Sequence, residues 1–113
     1  MVKLYGISNC DTVKKARKWL DDKGISYEFV DFRKKPLTAA QLKRWADTVG
    51  WESLINKRSR TWRELDKLTQ NSLNKSNALK LMQEMPTLIK RPVMDTGDNF
   101  IIGFDSATYE ELF

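Results

Sequence analysis

The 113-residue chain contains no histidine and a single cysteine, Cys10. The first absence excludes Cys–His and Ser–His catalytic pairs and every His-containing metal site. The second excludes an internal disulfide, and one thiol cannot build a zinc or iron–sulfur cage within one chain. Cysteine usage of this kind agrees with a reducing compartment, so the cytoplasm is the expected location. No apolar run approaches the roughly 20 residues that a membrane-spanning helix requires, and no membrane association is expected. The opening stretch, Met1 to Cys10, lacks a charged leader followed by an apolar core and a cleavage site, so secretion is not expected. Prolines number three and glycines five, and no repeat, linker or low-complexity tract interrupts the chain. One domain spanning residues 1–113 is expected.

What is present suits a folded protein. Hydrophobic residues make up 41% and charged residues 31%, with four Trp, three Tyr and five Phe. Twenty basic residues face 15 acidic ones, for a formal charge of +5. The excess gathers in the middle third, at Arg33, Lys34, Lys35, Lys43, Arg44, Lys57, Arg58, Arg60 and Arg63. Such a stretch attracts nucleic acid, anionic small molecules or an acidic protein, or is simply solvated surface. There is no helix-turn-helix pattern and no regular basic stripe, so direct nucleic-acid binding is not expected.

Val2 to Ile7 alternates apolar with polar or small residues and stops at Ser8-Asn9, a short strand ending in a turn. From Asp11 to about Lys23 the period becomes helical, with Val13, Ala16 and Leu20 on one face and Gly24 as the stop. Ile25 to Phe32 alternates again and reads as a second strand. A helix of this length between two strands makes them parallel. Thr38 followed by Gln41 is a capping-box pattern, and Leu42, Trp45, Ala46 and Val49 form the stripe of the helix it opens. Trp51 to Ile55 reads as a short turn, Thr61 to Leu68 as a short helix, and Leu73 to Glu84 as a longer one. Trp45, Trp51 and Trp62 are expected in the core. After Pro86, strand-like Leu88 to Asp95 and Phe100 to Phe104 flank Thr96-Gly97-Asp98-Asn99, a hairpin. Asp105 or Ser106 caps a last helix reaching Phe113.

Two local features carry chemistry. Cys10 sits where a strand and a small turn give way to a helix. There the unpaired backbone N–H groups and the positive end of the helix dipole stabilise thiolate over thiol. Lys14 and Lys15 add positive potential one turn on, and Asp11 opposes it. With no histidine available as base, this electrostatic route is the means of activating the thiol. The alternative is an inert cysteine packed as a small hydrophobe. The second feature is Arg91-Pro92 between two strand-like stretches. Proline there interrupts pairing and suits a cis bond, and the arginine before it is aimed at a thiolate or a two-oxygen anion. A surface arginine before a structural proline is the plainer alternative.

Three motifs, Gly6-Ile-Ser-Asn-Cys-Asp-Thr-Val-Lys-Lys-Ala16, Tyr27-Glu-Phe-Val-Asp-Phe-Arg-Lys-Lys-Pro-Leu37 and Pro86-Thr-Leu-Ile-Lys-Arg-Pro-Val93, together resemble the arsenate reductase (ArsC) family. The resemblance is nearest to its Spx/YffB-type branch and runs from Leu4 to the last helix. It implies an α/β, thioredoxin-like fold, βαβ … ββα with a mixed four-stranded sheet, and a helical insertion over about 37–85. It implies that Cys10 is the nucleophile, Arg91 its neighbouring arginine and Pro92 a cis-proline. Asn9, Asp11, Thr12, Lys14, Arg58 and Pro92 are then the expected substrate-binding residues.

The chain also departs from the family pattern. Arsenate reductases of this type carry one further arginine where this chain has Asn56 and another where it has Ile102-Gly103. Arg58 resembles the arginine of the Spx/YffB branch. Each charge-assisted anion contact is worth roughly 1.5–3 kcal/mol, so two losses disfavour arsenate as substrate. The Cys-x-x-Cys switch of Spx is absent, because its second position is Val13. The expected function is therefore a single-thiol, glutathione-dependent reductase with no tightly bound cofactor and no metal. Cys10 attacks a disulfide or small oxidised substrate to form a mixed disulfide that glutathione resolves, so glutathione or a small thiol or oxyanion substrate is the expected partner. The alternatives are a Spx-like regulator docking on RNA polymerase or another protein, and, more weakly, a glutaredoxin-coupled arsenate reductase.

Overall fold

The structure, a computed structural model, describes residues 2–113. The chain divides into two compact units, one made of residues 2–35 together with Arg91–Phe113 and the other of Pro36–Lys90.

The first unit is built on a four-stranded mixed sheet. Strands β1 (Val2–Gly6), β2 (Tyr27–Asp31), β3 (Val93–Asp95) and β4 (Phe100–Ile102) lie in the order β2-β1-β3-β4. β1 and β2 are parallel, with Val2 opposite Tyr27 and Gly6 opposite Asp31. The crossover between them is helix α1 (Asp11–Asp22), and its length permits the parallel pairing. β3 runs antiparallel to β1 with Tyr5 opposite Val93, and β4 returns antiparallel to β3. The β3–β4 turn is closed by Thr96 N–H donating to the Asn99 carbonyl at 3.0 Å. Asp105 caps the last helix, α7 (Ser106–Leu112), accepting from Ala107 N–H at 3.2 Å.

Sequence periodicity explains how this unit closes. Val13, Ala16 and Leu20 are the buried residues of α1, while Lys18 and Asp22 pair in solvent on its other side. Lys23 ends the helix and Gly24 takes φ +68°, the left-handed conformation that a helix stop of this kind requires. Leu4, Ala16, Leu20, Met94 and Tyr109 form one buried cluster, with Trp19, Phe29, Ile101 and Phe104 packed around it. Trp19 and Phe104 both meet the Tyr109 ring edge-to-face, at centroid distances of 5.4 and 4.9 Å.

The second unit is mostly helical: α2 (Ala39–Val49), α3 (Trp51–Leu54), α4 (Arg60–Glu64), α5 (Lys67–Asn71) and α6 (Lys75–Glu84), then a 3₁₀ turn over Pro86–Leu88. The capping box at Thr38 is present in full, with Thr38 Oγ1 accepting from Gln41 N–H and Gln41 Oε1 accepting from Thr38 N–H. Leu42, Trp45 and Ala46 are buried on α2, and Ala78 and Met82 on α6. Trp51 and Trp62 are only half-buried.

Four readings of the sequence shift here. The turn expected at Trp51–Ile55 is a one-turn helix ending at Leu54. The single helix expected over Thr61–Leu68 is two, because Asp66 accepts from Thr69 N–H at 2.7 Å and starts a new one. The long helix starts at Lys75, since Asn74 caps it. The strand expected from Leu88 begins only at Val93; Ile89 makes an isolated bridge to Ile55, and Lys90 N–H donates to the Leu54 carbonyl. Among the described residues, no helix is long and apolar enough to cross a membrane.

Candidate active site

Cys10 is placed by a strand, a turn and a helix in immediate succession. β1 ends at Gly6, and Cys10 N–H donates to the Ile7 carbonyl at 3.1 Å, which closes the turn through Ser8 and Asn9. Cys10 is the N-cap of α1, with extended backbone (φ −88°, ψ 127°), and its carbonyl accepts from Lys14 N–H at 3.0 Å. The side chain makes no capping hydrogen bond. Ser, Thr, Asp and Asn are the residue types that use an N-cap side chain to satisfy the first-turn N–H groups. Here the sulfur satisfies none of them and lies at the positive end of a twelve-residue helix. It is free of any disulfide and half-buried.

The loop is held from a second side. Asp31, at the end of β2, accepts from Arg33 N–H at 2.9 Å and from Ser8 N–H at 3.4 Å. Burial raises the pKa of this carboxyl, but those two N–H donors and the Lys34 charge outweigh it, and the net shift is downward. Sequence reading missed this residue. Its signal is an aspartate at a strand end whose side chain bonds the main chain two residues on, the pattern of an Asx turn.

Arg91 and Pro92 come to the same end of the sheet by register. Tyr5 pairs with Val93 in an antiparallel ladder, so Arg91-Pro92 leads into β3 at the end of the sheet where β1 runs out toward the Cys10 turn. The Arg91–Pro92 peptide bond is cis. Pro92 is buried, and its carbonyl accepts from Gly103 N–H at 2.8 Å, fixing the start of β3 against the end of β4. Arg91 is half-buried.

The other expected site residues divide by location. Asn9, Asp11, Thr12 and Lys14 are exposed around the start of α1. Arg58 belongs to the second unit, where it is exposed; its N–H donates to Asn56 Oδ1 at 3.0 Å and its carbonyl accepts from Arg63.

The model of the ArsC family matches residues 5–112. The chain belongs to the ArsC family. An uncharacterized protein of Haemophilus influenzae is 46% identical to this ArsC-family chain over all of its 113 residues and 99% of the other's length. The global transcriptional regulator Spx 2 of Oceanobacillus iheyensis is 31% identical over 91% of this chain and 76% of the regulator. Among solved structures, a YffB protein superposes with a TM-score of 0.93 at 37% identity, covering 98% of this chain and 97% of that one. A glutaredoxin from Archaeoglobus fulgidus superposes with a TM-score of 0.50 at 16% identity, over 98% of this chain and 83% of its own. The fold is thioredoxin-like, as the resemblance implied, and the kinship falls in the Spx/YffB branch of the ArsC family.

Proposed function

We propose that this ArsC-family protein is a single-thiol reductase that works with glutathione as co-substrate. The observation that carries the reading is Cys10, the chain's one thiol, half-buried at the N-cap of α1 with a side chain that caps nothing. In the first step the Cys10 thiolate attacks one sulfur of a substrate disulfide. The substrate S–S bond breaks as the mixed disulfide with Cys10 forms, and the displaced thiolate leaves with the electron pair and takes a proton from water. In the second step a glutathione thiolate attacks the substrate sulfur of the mixed disulfide. Cys10 returns as thiolate, and glutathione carries away the oxidised half in a new disulfide. No second protein cysteine is needed, and none is present. Arg91 supplies a guanidinium at the same end of the sheet to hold the thiolate or the reacting anion. Substrate contacts come from Asn9, Asp11, Thr12 and Lys14 around the thiol, with Pro92 as the backbone edge. A reductase fed by reduced glutathione would work in the cytoplasm, in keeping with a chain whose one cysteine forms no disulfide.

The test is glutathione-driven reduction of bis-hydroxyethyl disulfide by the protein and its Cys10→Ser variant. Serine is a good N-cap, so the variant keeps its fold. Loss of turnover is expected, and full turnover without the sulfur would overturn the reading.

A second reading has its own support in the likeness to a Spx regulator. In it the chain binds RNA polymerase or another protein through the basic residues of the second unit, and Cys10 is a modifiable sensor. Capture of polymerase that ignores Cys10→Ser, with no thiol turnover, would favour that reading.

A further inference from the structure

A groove of about 380 Å³ lies against the edge strand β2, lined by Ser8, Arg17, Glu28, Asp31, Lys34 and Lys35 among others. It begins two residues from the thiol, because Ser8 belongs to the same turn as Cys10. Its central cation is pre-set. The Arg17 guanidinium carbon stands 4.2 Å from the centroid of the Phe29 ring, and its Nε donates to the Tyr27 hydroxyl at 3.2 Å. Stacking on one face and a hydrogen bond on one edge leave the two terminal nitrogens to present a fork.

Among the described residues, Arg17 is in no ion pair, nor are Lys34 and Lys35, whereas the exposed cations Lys18, Lys43, Arg60 and Lys75 are each paired with an Asp or Glu. Two acids also line the groove. Asp31 is turned onto the main-chain N–H groups of Ser8 and Arg33, and Glu28 is exposed on β2. The balance of the groove is positive. An arginine held on two sides, in no ion pair, and in a concavity whose lining reaches the turn that carries Cys10 is suited to receive an anion.

We propose that this groove is a carboxylate-binding subsite for the tail of the disulfide that reacts at Cys10, with Arg17 as the principal contact and Lys34 and Lys35 flanking it. The proposal rests on Cys10 being the nucleophile and adds where the non-reacting part of the substrate goes. Binding energy from that remote carboxylate would hold the reacting sulfur in place while the bond exchange proceeds.

The experiment is the rate at which the reduced protein forms a mixed disulfide with dithiodipropionate and glutathione disulfide, which bear carboxylates, and with bis-hydroxyethyl disulfide, which is neutral. The ratio of carboxylate to neutral rates is measured in wild type, Arg17→Gln and the double variant Lys34→Gln/Lys35→Gln. The double variant changes only exposed side chains, so it stays informative if loss of the Arg17–Phe29 stack disturbs folding. The wild-type preference is expected to fall about tenfold in Arg17→Gln, the size of one charge-assisted contact, and severalfold in the double variant. It should also fall with added salt. Lys18→Gln, on the solvent side of α1, is expected to leave the ratio unchanged. A wild type that reacts with all three disulfides without preference, or a preference that both variants retain, overturns the subsite alone. A Cys10 that reacts with none of them overturns the nucleophile and the subsite together.

Discussion

A methyl group on Gly6 would lie 2.7 Å from Cγ2 and 3.1 Å from Cγ1 of Val13. Strand β1 and helix α1 are therefore packed to the limit at the point where the chain turns toward Cys10. Val13 is fully buried and β-branched, so its methyl groups have no alternative place to go. Gly6→Ala forces the helix start away from the sheet or strains the core. A loss of about 1–3 kcal/mol is expected in urea unfolding, the range for overpacked cores. Slower alkylation of Cys10 should accompany it, since the same shift moves the helix terminus that holds the sulfur.

That contact was invisible in the sequence, although both residues were noticed there. Gly6 reads as part of the first strand and Val13 as the position where a second cysteine is missing; only the packing of strand on helix joins them. What was legible was whatever depends on residues close in sequence. Thr38 and Gln41 announced their capping box because both partners lie within one helical turn. The 3.6-residue spacing of Val13, Ala16 and Leu20 likewise fixed which face of α1 is buried. The strand reading failed at Leu88 to Pro92, where alternation of apolar residues is shared by a 3₁₀ turn, a lone bridge and an extended approach to β3. The site was legible in part for the same reason. Cys10 carries a local signal, whereas the roles of Asp31 and Arg17 arise from contacts between elements.

Tyr109 illustrates a polar group the core tolerates. It is fully buried between Trp19 and Phe104, and among the described residues its hydroxyl has no hydrogen-bond partner. Removing such a hydroxyl relieves a desolvation penalty, so Tyr109→Phe is expected to hold or raise stability, by up to about 2 kcal/mol. Burial also pushes the Tyr109 pKa up. A folded-state value above the unfolded one means that stability is full below the ordinary tyrosine range, near 10, and falls as pH climbs beyond it. The wild type should lose stability above that pH more steeply than Tyr109→Phe, as read from urea midpoints across the alkaline range.

Asp31 carries the opposite sign. Its folded-state pKa is lowered, the N–H groups of Arg33 and Ser8 and the Lys34 charge winning over the effect of burial. Its contribution is present above the ordinary aspartate range, near 3.9, and is lost as pH falls through the lowered value. Asp31→Asn should flatten the acid limb of the stability curve, measured by urea midpoints between neutral and strongly acid pH. The N–H of Ser8 would lose its carboxylate acceptor, so the variant should also show faster amide hydrogen exchange at Ser8.

Arsenate gives the sharpest test of which anion the site accepts. The two arginines that the family pattern adds for arsenate are replaced here by Asn56 and by Ile102-Gly103. Asn56 turns its Oδ1 to the Arg58 N–H at 3.0 Å, and so serves its own turn. Ile102 pairs with Val93 in the sheet, and Gly103 takes φ +81°, where an arginine would be strained. At roughly 1.5–3 kcal/mol for each missing contact, arsenate affinity should be down by several orders of magnitude, and Arg91 alone does not make up the difference. Arsenate at millimolar concentration is therefore expected to leave the rate of Cys10 alkylation unchanged. Glutathione disulfide should block alkylation by forming the mixed disulfide, detected as one glutathione added to the mass. Protection by arsenate, lost in Arg91→Ala, would show instead that one arginine and the end of α1 suffice to bind the oxyanion.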